Sequence, residues 1–303
     1  MGGFLRFKTK RMAYILIFVI CIGALVGPYT FVHFPRTCIP YVDPIHQTGR
    51  PLTSSLSTAP VASIYNNNNF NYNHGYQDPR IVILSGESCT NPDPKAKCRH
   101  LGEYSYHNRR EYIAHHRGRY VLKDTNVTHY FDEVKAAKSV PAWAKIKMIK
   151  DELAKDDFDW IFWMDTDALI ANMDVPLERF IDNRHPLIVT KDWFCLNAGV
   201  FFIKNDDWSR EFFDLVWDKL GPYDHEQDWM ITILAKHTEL KEHEKVKYMP
   251  QCSFNSYWHM KKLYQMYRPG DFIIHWMSFN WDPQSFKDWQ QLRYFKLPPF
   301  REE

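Results

Sequence analysis

The sequence predicts an α/β fold: a mostly parallel central sheet covered by helices and preceded by a transmembrane helix. Three observations lead there. From residue 80 onward, short apolar runs that stop at Gly or Asp alternate with longer stretches of helical period, the rhythm of strand, helix, strand. Ahead of them lies one uncharged run of membrane-spanning length behind a basic tail. The 303 residues are 45% hydrophobic and 24% charged, a globular composition with enough apolar surface for a core.

Taken in order, residues 1–11 form a cytosolic tail with Arg6, Lys8, Lys10 and Arg11 and no acid. Residues 12–34 carry no charge. As a helix they would reach about 34 Å, enough to cross the ~30 Å hydrocarbon layer. A basic head with an apolar run also describes a cleaved signal peptide, with Ala24 as its small residue. The run outlasts the usual ~7–15 apolar residues of such a peptide, so an uncleaved signal anchor is expected. Positive charge ahead of the span keeps the N-terminus cytosolic and sends the rest across the membrane. Residues 35–79 lose periodicity and end in the tract NNNNFNYNHG at 66–75, the composition of a stem. In an oxidising lumen, Asn126-Val127-Thr128 is a glycosylation sequon, and Cys89 and Cys98 could close a local disulfide. No Cys/His spacing suggests structural zinc.

The catalytic domain is expected over residues 80–303. A strand at 80–85 is followed by a helix at 103–116, a strand at 119–124, a helix at 141–155 with Pro141 in its first turn, and a buried strand at 159–165. Ligands of such sheets collect at the carboxyl ends of the strands, and this strand ends in Asp165-Thr166-Asp167. In an extended segment residues i and i+2 share a face, so the two carboxylates converge and invite a hard divalent cation. Asp192, Asn197 and Gly199 precede an apolar strand at 200–203. A helix at 207–220 follows, and a second at 225–236 opens with Glu226, Gln227 and Asp228, where capping and the helix dipole also favour polar groups. A last strand, 271–275, ends in His275. The net charge of +2 is smaller than the four basic residues of the tail, so the remainder is slightly acidic and nucleic-acid binding is not expected. Aromatic residues make up 16% of the chain, which suits hydroxyl-bearing ligands as well as a core.

These residues, in this order, resemble glycosyltransferase family 34, the galactosyl-, mannosyl- and xylosyltransferases of fungal and plant Golgi membranes. The resemblance rests on RIVILSG (80–86), NRREYIAHHRGRY (108–120), PAWAKI (141–146), WIFWMDTDALIAN (160–172), LNAGVFFIKNDDWS (196–209), HEQD (225–228), YMPQCSFNSY (248–257) and GDFIIHW (270–276). It implies a GT-A-type nucleotide-sugar-binding fold and a single-pass type II Golgi membrane enzyme with a lumenal catalytic domain. It further implies manganese, and transfer with anomeric retention of a hexose or pentose from a nucleotide sugar, UDP-galactose or GDP-mannose foremost, to a glycan acceptor on a glycoprotein or polysaccharide. Matched by position, Asp165, Asp167 and His275 are the implied metal ligands, and Asp165, Asn197, Ala198 and Gly199 border the donor. Glu226, Gln227 and Asp228 lie near the reacting carbon, and Ile83, Ser85, Arg109 and Tyr112 wall the nucleotide. Hetero- or homo-oligomers with other Golgi transferases belong to the same picture.

Two departures stand out. After the strand-end histidine many relatives have a Gly-Cys turn and a basic residue, while His275 here leads into Trp276-Met277, which makes Lys287 the candidate basic partner of a diphosphate. Val200 replaces a small polar residue. Two alternatives remain at this stage. One is a non-catalytic Golgi transferase-complex subunit. The other is a haloacid-dehalogenase-like phosphatase, whose own Asp-x-Asp normally follows the first strand of its domain rather than the third.

Overall fold

In a computed structural model, residues 78–87, 97–126, 130–136, 141–192, 195–221, 225–257 and 266–276 are described. The six-stranded sheet has the order β2-β1-β3-β6-β5-β7, built from β1 (Ile81–Glu87), β2 (Val121–Asn126), β3 (Trp160–Met164), β5 (Leu187–Asp192), β6 (Cys195–Lys204) and β7 (Val246–Met249). All pairs are parallel except those of β6, which runs antiparallel to both β3 and β5. A smaller sheet, β4-β9-β8, joins β4 (Ala168–Ile170), β9 (Ile273–His275) and β8 (Ser256–Tyr257).

Both faces of the large sheet are covered, and its strands alternate between two cores. Val82, Leu84, Ile161, Trp163, Phe201 and Ile203 face α3 (Ala144–Leu153), α4 (Asp207–Trp217) and α5 (Glu226–Lys236), which contribute Ile149, Phe212, Phe213, Met230 and Leu234. Ile81, Ile83, Trp160, Phe162 and Phe202 face the other way, against Tyr112 of α1 (Lys97–His115), Ile170 and Ile273 of the small sheet, and Phe254. A sheet buried on both sides reads as continuous apolar runs, which is why WIFWM and VFFI are legible as strands. The short helices α2 (Phe131–Ala136) and α6 (Glu242–Lys245) complete the set.

The expected mostly parallel sheet is present, with differences in detail. The helix expected from residue 141 opens as a 3-10 turn, Pro141–Trp143, before α3 begins. The expected strand 200–203 is longer, starting at Cys195, and pairs with a strand not anticipated, β5, as a hairpin. Only residues 193 and 194 link them, and a parallel pair would need a crossover of a dozen residues or more. Asn197 thus lies within a ladder, opposite Thr190 and beside an irregularity at Val189/Thr190 that re-aims side chains there. The short strands β4, β7 and β8 were also not expected. No helix among the described residues is long and apolar enough to cross a membrane. Residues 12–34, the stem up to residue 77, Cys89, Val127, Thr128 and Lys287 lie outside the described residues.

Candidate functional site

β3 stops at Met164, and Asp165-Thr166-Asp167 forms a tight turn closed by Ala168 N–H donating to Asp165 O at 3.0 Å. This corrects the expectation of an extended segment: the carboxylates converge because the chain folds back. The turn is pinned on three sides. Thr166 Oγ1 donates to Gly86 O at 2.9 Å, Asp165 N–H to Gly199 O at 2.8 Å, and Trp276 N–H to Asp167 O at 2.9 Å. The last bond continues the β4–β9 ladder, in which Ala168 faces His275. The small sheet therefore delivers the imidazole to the turn, and one ligand atom each from Asp165, Asp167 and His275 lie within 4.8 Å of one another.

The imidazole is oriented from behind. His275 Nδ1 lies 2.6 Å from Asn255 Oδ1, and Asn255 Nδ2 donates to Thr190 Oγ1 at 3.0 Å. An amide oxygen opposite Nδ1 places the proton there and leaves the Nε2 lone pair for a ligand. Nε2 is 3.2 Å from Asp167 Oδ1. Burial alone would depress the His275 pKa, but the Asp167 and Asp165 carboxylates raise it above the ordinary histidine value. Gly199 has a steric cause: a Cβ there would sit 2.3 Å from His275 Cε1. Two carboxylate oxygens and one imidazole nitrogen form a donor set that could hold a divalent cation.

Behind Asp165 stands Lys145, only 6% exposed. Its ammonium lies 2.9 Å from Asp165 Oδ1 and 3.0 Å from Glu226 Oε1, and donates to Ala198 O at 2.7 Å. Burial would lower its pKa, but the two carboxylates more than offset that and hold it above the ordinary lysine range. The Asp165 carboxyl is raised, by burial first and by Asp167 in addition, against the pull of Lys145. Trp163 Nε1 also donates to Asp165 Oδ1, at 2.7 Å.

The remaining expected residues separate into two groups. Ala198 N–H donates to Gln227 Oε1 at 2.9 Å, and Gly199 N–H donates to Asn197 Oδ1 at 2.9 Å, so β6 and the first turn of α5 meet beside the acidic turn. Asn197 Nδ2 donates to Asp192 Oδ2 and to Tyr257 Oη, both at 2.9 Å. Glu226 is buried, with Oε2 lacking a hydrogen-bond partner among the described residues, and Asp228 is half-buried in the same turn. Arg109, fully buried, donates to Asp165 O at 2.8 Å and to Asp124 Oδ2 at 3.0 Å, a strut under the turn. Ser85 is buried at the carboxyl end of β1, its Oγ without a hydrogen-bond partner among the described residues. None of the four residues expected to wall the nucleotide, Ile83, Ser85, Arg109 and Tyr112, has exposed surface, and the Tyr112 hydroxyl donates to Val175 O at 2.6 Å. Val200 is likewise core, so its departure from the family pattern concerns packing.

Lys145, Asn255 and Tyr257 were not singled out by sequence. Lys145 carried a usable signal: it falls on the buried side of α3 with Ile149 and Glu152, and a charge on an apolar helical face asks for a partner. Asn255 sits in an irregular segment where no period marks it.

A mixed sheet thus gathers two carboxylates and an imidazole at its mouth, beside a glycine-cleared loop. The chain belongs to the galactosyl transferase GMA12/MNN10 family, whose sequence profile matches residues 77–184 and 182–280. It is similar to glycosyltransferase 6 of Arabidopsis thaliana, 31% identical over 158 residues, which are 47% of this chain and 33% of that one. It is also similar to galactomannan galactosyltransferase 1 of Cyamopsis tetragonoloba, 38% identical over 92 residues, 26% of this chain and 20% of the relative. The matched segments thus span a third or less of these relatives' lengths. Among solved structures, a glycosyltransferase involved in glycosylating the major capsid of PBCV-1 aligns at 16% identity and TM-score 0.48, covering 71% of this chain and 99% of that one, a likeness too low to bear on the assignment.

Proposed function

We propose that this chain is a retaining, divalent-metal-dependent glycosyltransferase that moves galactose or mannose from a nucleotide sugar to a glycan acceptor, with a GT-A catalytic domain. The convergence of Asp165, Asp167 and His275 within 4.8 Å at the carboxyl end of β3 carries the reading. These three residues would hold manganese, which when bound supplies charge stabilisation for a leaving diphosphate. The chain's own residues do the rest. Asn255 fixes the imidazole tautomer. Gly199 lets the backbone approach where a side chain would collide with that ring. Gln227 commits its amide oxygen to Ala198, which leaves the NH2 as the donor end for the transferred sugar. Glu226 is neutralised by Lys145 and so is poorly suited to attack an anomeric carbon, which favours same-face attack by an acceptor hydroxyl. The family assignment displaces the phosphatase alternative. We place the enzyme in the Golgi membrane, anchored through residues 12–34.

The test is nucleotide-sugar transfer and thermal stabilisation by UDP, GDP and their sugars, with and without manganese, on the full chain and Asp167→Asn. A bound donor raises stability by mass action, and the preferred base narrows the donor. The variant is expected to fold but to lose both turnover and metal-dependent stabilisation. Turnover retained in Asp167→Asn would overturn the proposal.

A further inference from the structure

In the chemistry above Lys145 only pairs with Glu226, yet a lysine this buried is retained only against a desolvation cost. Its Nζ stands 2.9 Å from Asp165 Oδ1, 3.2 Å from Asp165 Oδ2, 3.0 Å from Glu226 Oε1 and 2.7 Å from Ala198 O. An ammonium has three protons, so these four contacts share them, and both oxygens of one carboxylate are engaged. That carboxylate belongs to the cluster formed with Asp167 and His275. A group that gives both oxygens to an ammonium offers less charge to a second cation, and the ammonium repels that cation as well.

We propose that Lys145 is a positioning residue that competes with the divalent cation for Asp165: an internal counter-ion that ties Asp165 to Glu226 at the start of α5 and sets how loosely the cation is held. The inference rests on the reading of Asp165, Asp167 and His275 as a dication site. Removing Lys145 has two opposing effects, lost positioning and relieved repulsion. Relief wins, because each ligand keeps other supports. Asp165 retains the Trp163 indole at 2.7 Å and its turn bonds, Asp167 retains Trp276 N–H, and His275 retains Asn255. A lysine that merely filled the core would give the opposite result, since its loss would loosen the site along with the fold. Glu226, deprived of its partner, would lose its fixed place beside Gln227, so turnover falls while the cation binds more tightly.

The test is a manganese titration of the full chain in detergent, followed by melting temperature and by the resonance signal of free manganese, on wild type, Lys145→Met, Glu226→Gln and Asp167→Asn. Lys145→Met is expected to melt lower after chelation and to reach half-saturation at on the order of tenfold less manganese. An unchanged or weaker affinity overturns the proposal. If Lys145→Met does not fold, Lys145→Gln takes its place. Glu226→Gln hands more of the ammonium to Asp165, so its affinity is expected to fall, and an unchanged or tighter affinity there also overturns the proposal. Asp167→Asn separates the two ideas: wild-type manganese binding in that variant defeats the dication site itself, whereas loss of binding there with no shift in Lys145→Met defeats only the role of Lys145.

Discussion

At the scale of single residues, the site depends on groups that never touch a substrate. The chain from Thr190 Oγ1 through the Asn255 amide to His275 Nδ1 is buried throughout, so each member has little choice of partner. Once Asn255 is truncated, the imidazole loses the acceptor that selects its tautomer, and the Nδ1 proton is left buried and unpaired. Asn255→Ala is therefore expected to weaken manganese binding by about 10–100-fold while leaving the strand order intact. A metal titration followed by melting temperature would check this, and unchanged affinity would remove Asn255 from the site. Gly199 belongs with it, because its missing side chain is the space the ring occupies.

At the scale of elements, the strands and helices with the strongest patterns were legible and the corners were not. WIFWM and VFFI announce strands because both faces are buried, and the amphipathic run from Asp207 announces α4. Asp165, Asp167 and His275 could be singled out as candidate ligands, the two carboxylates because they follow an apolar strand and His275 because the family resemblance implies it. What brings them together could not be read: it depends on a three-residue turn and on a second sheet in which the strand ending in His275 was legible but its partners, Ala168–Ile170 and Ser256–Tyr257, are too short to show a period. Ile83 and Tyr112 were misplaced because a residue near a strand end or on a helix can face the core or the cleft, and register alone decides. The corner from β6 into α4 shows what such junctions are worth. Asp206 has extended backbone and accepts the Ser209 N–H at 3.0 Å, while Asn205 donates to Asp156 and to Phe158 O, fastening this corner to the loop before β3. Asp206→Ala removes the cap and is expected to cost about 1 kcal/mol, measured as a lower urea midpoint with an unchanged slope.

At the scale of the whole molecule, the far edge of the large sheet carries an ionic clamp in addition to its packing and its β5–β7 ladder, and this gives stability a defined response to acid. Asp182, on the approach to β5, accepts from Arg184 Nη2 at 2.8 Å and from Lys247 of β7 at 3.3 Å, and lies 3.3 Å from His185 Nδ1. The Arg184 hydrogen bonds, with help from Lys247, hold the Asp182 carboxyl below its ordinary range. A carboxyl depressed in the folded state stabilises it above the unfolded value, about pH 3.9, and that contribution disappears as the pH falls through the folded value. Arg184 is largely exposed, so solvent screens its share and the whole clamp contributes about 1 kcal/mol. Asp182→Asn, which cannot ionise, should then be less stable than wild type at neutral pH by about that amount, and the gap should narrow as the pH falls below about 4. Urea denaturation of both proteins across that range decides the matter. A gap that stays constant in acid would mean that Asp182 acts through its hydrogen-bond geometry, with its charge irrelevant to how β7 is held on the sheet.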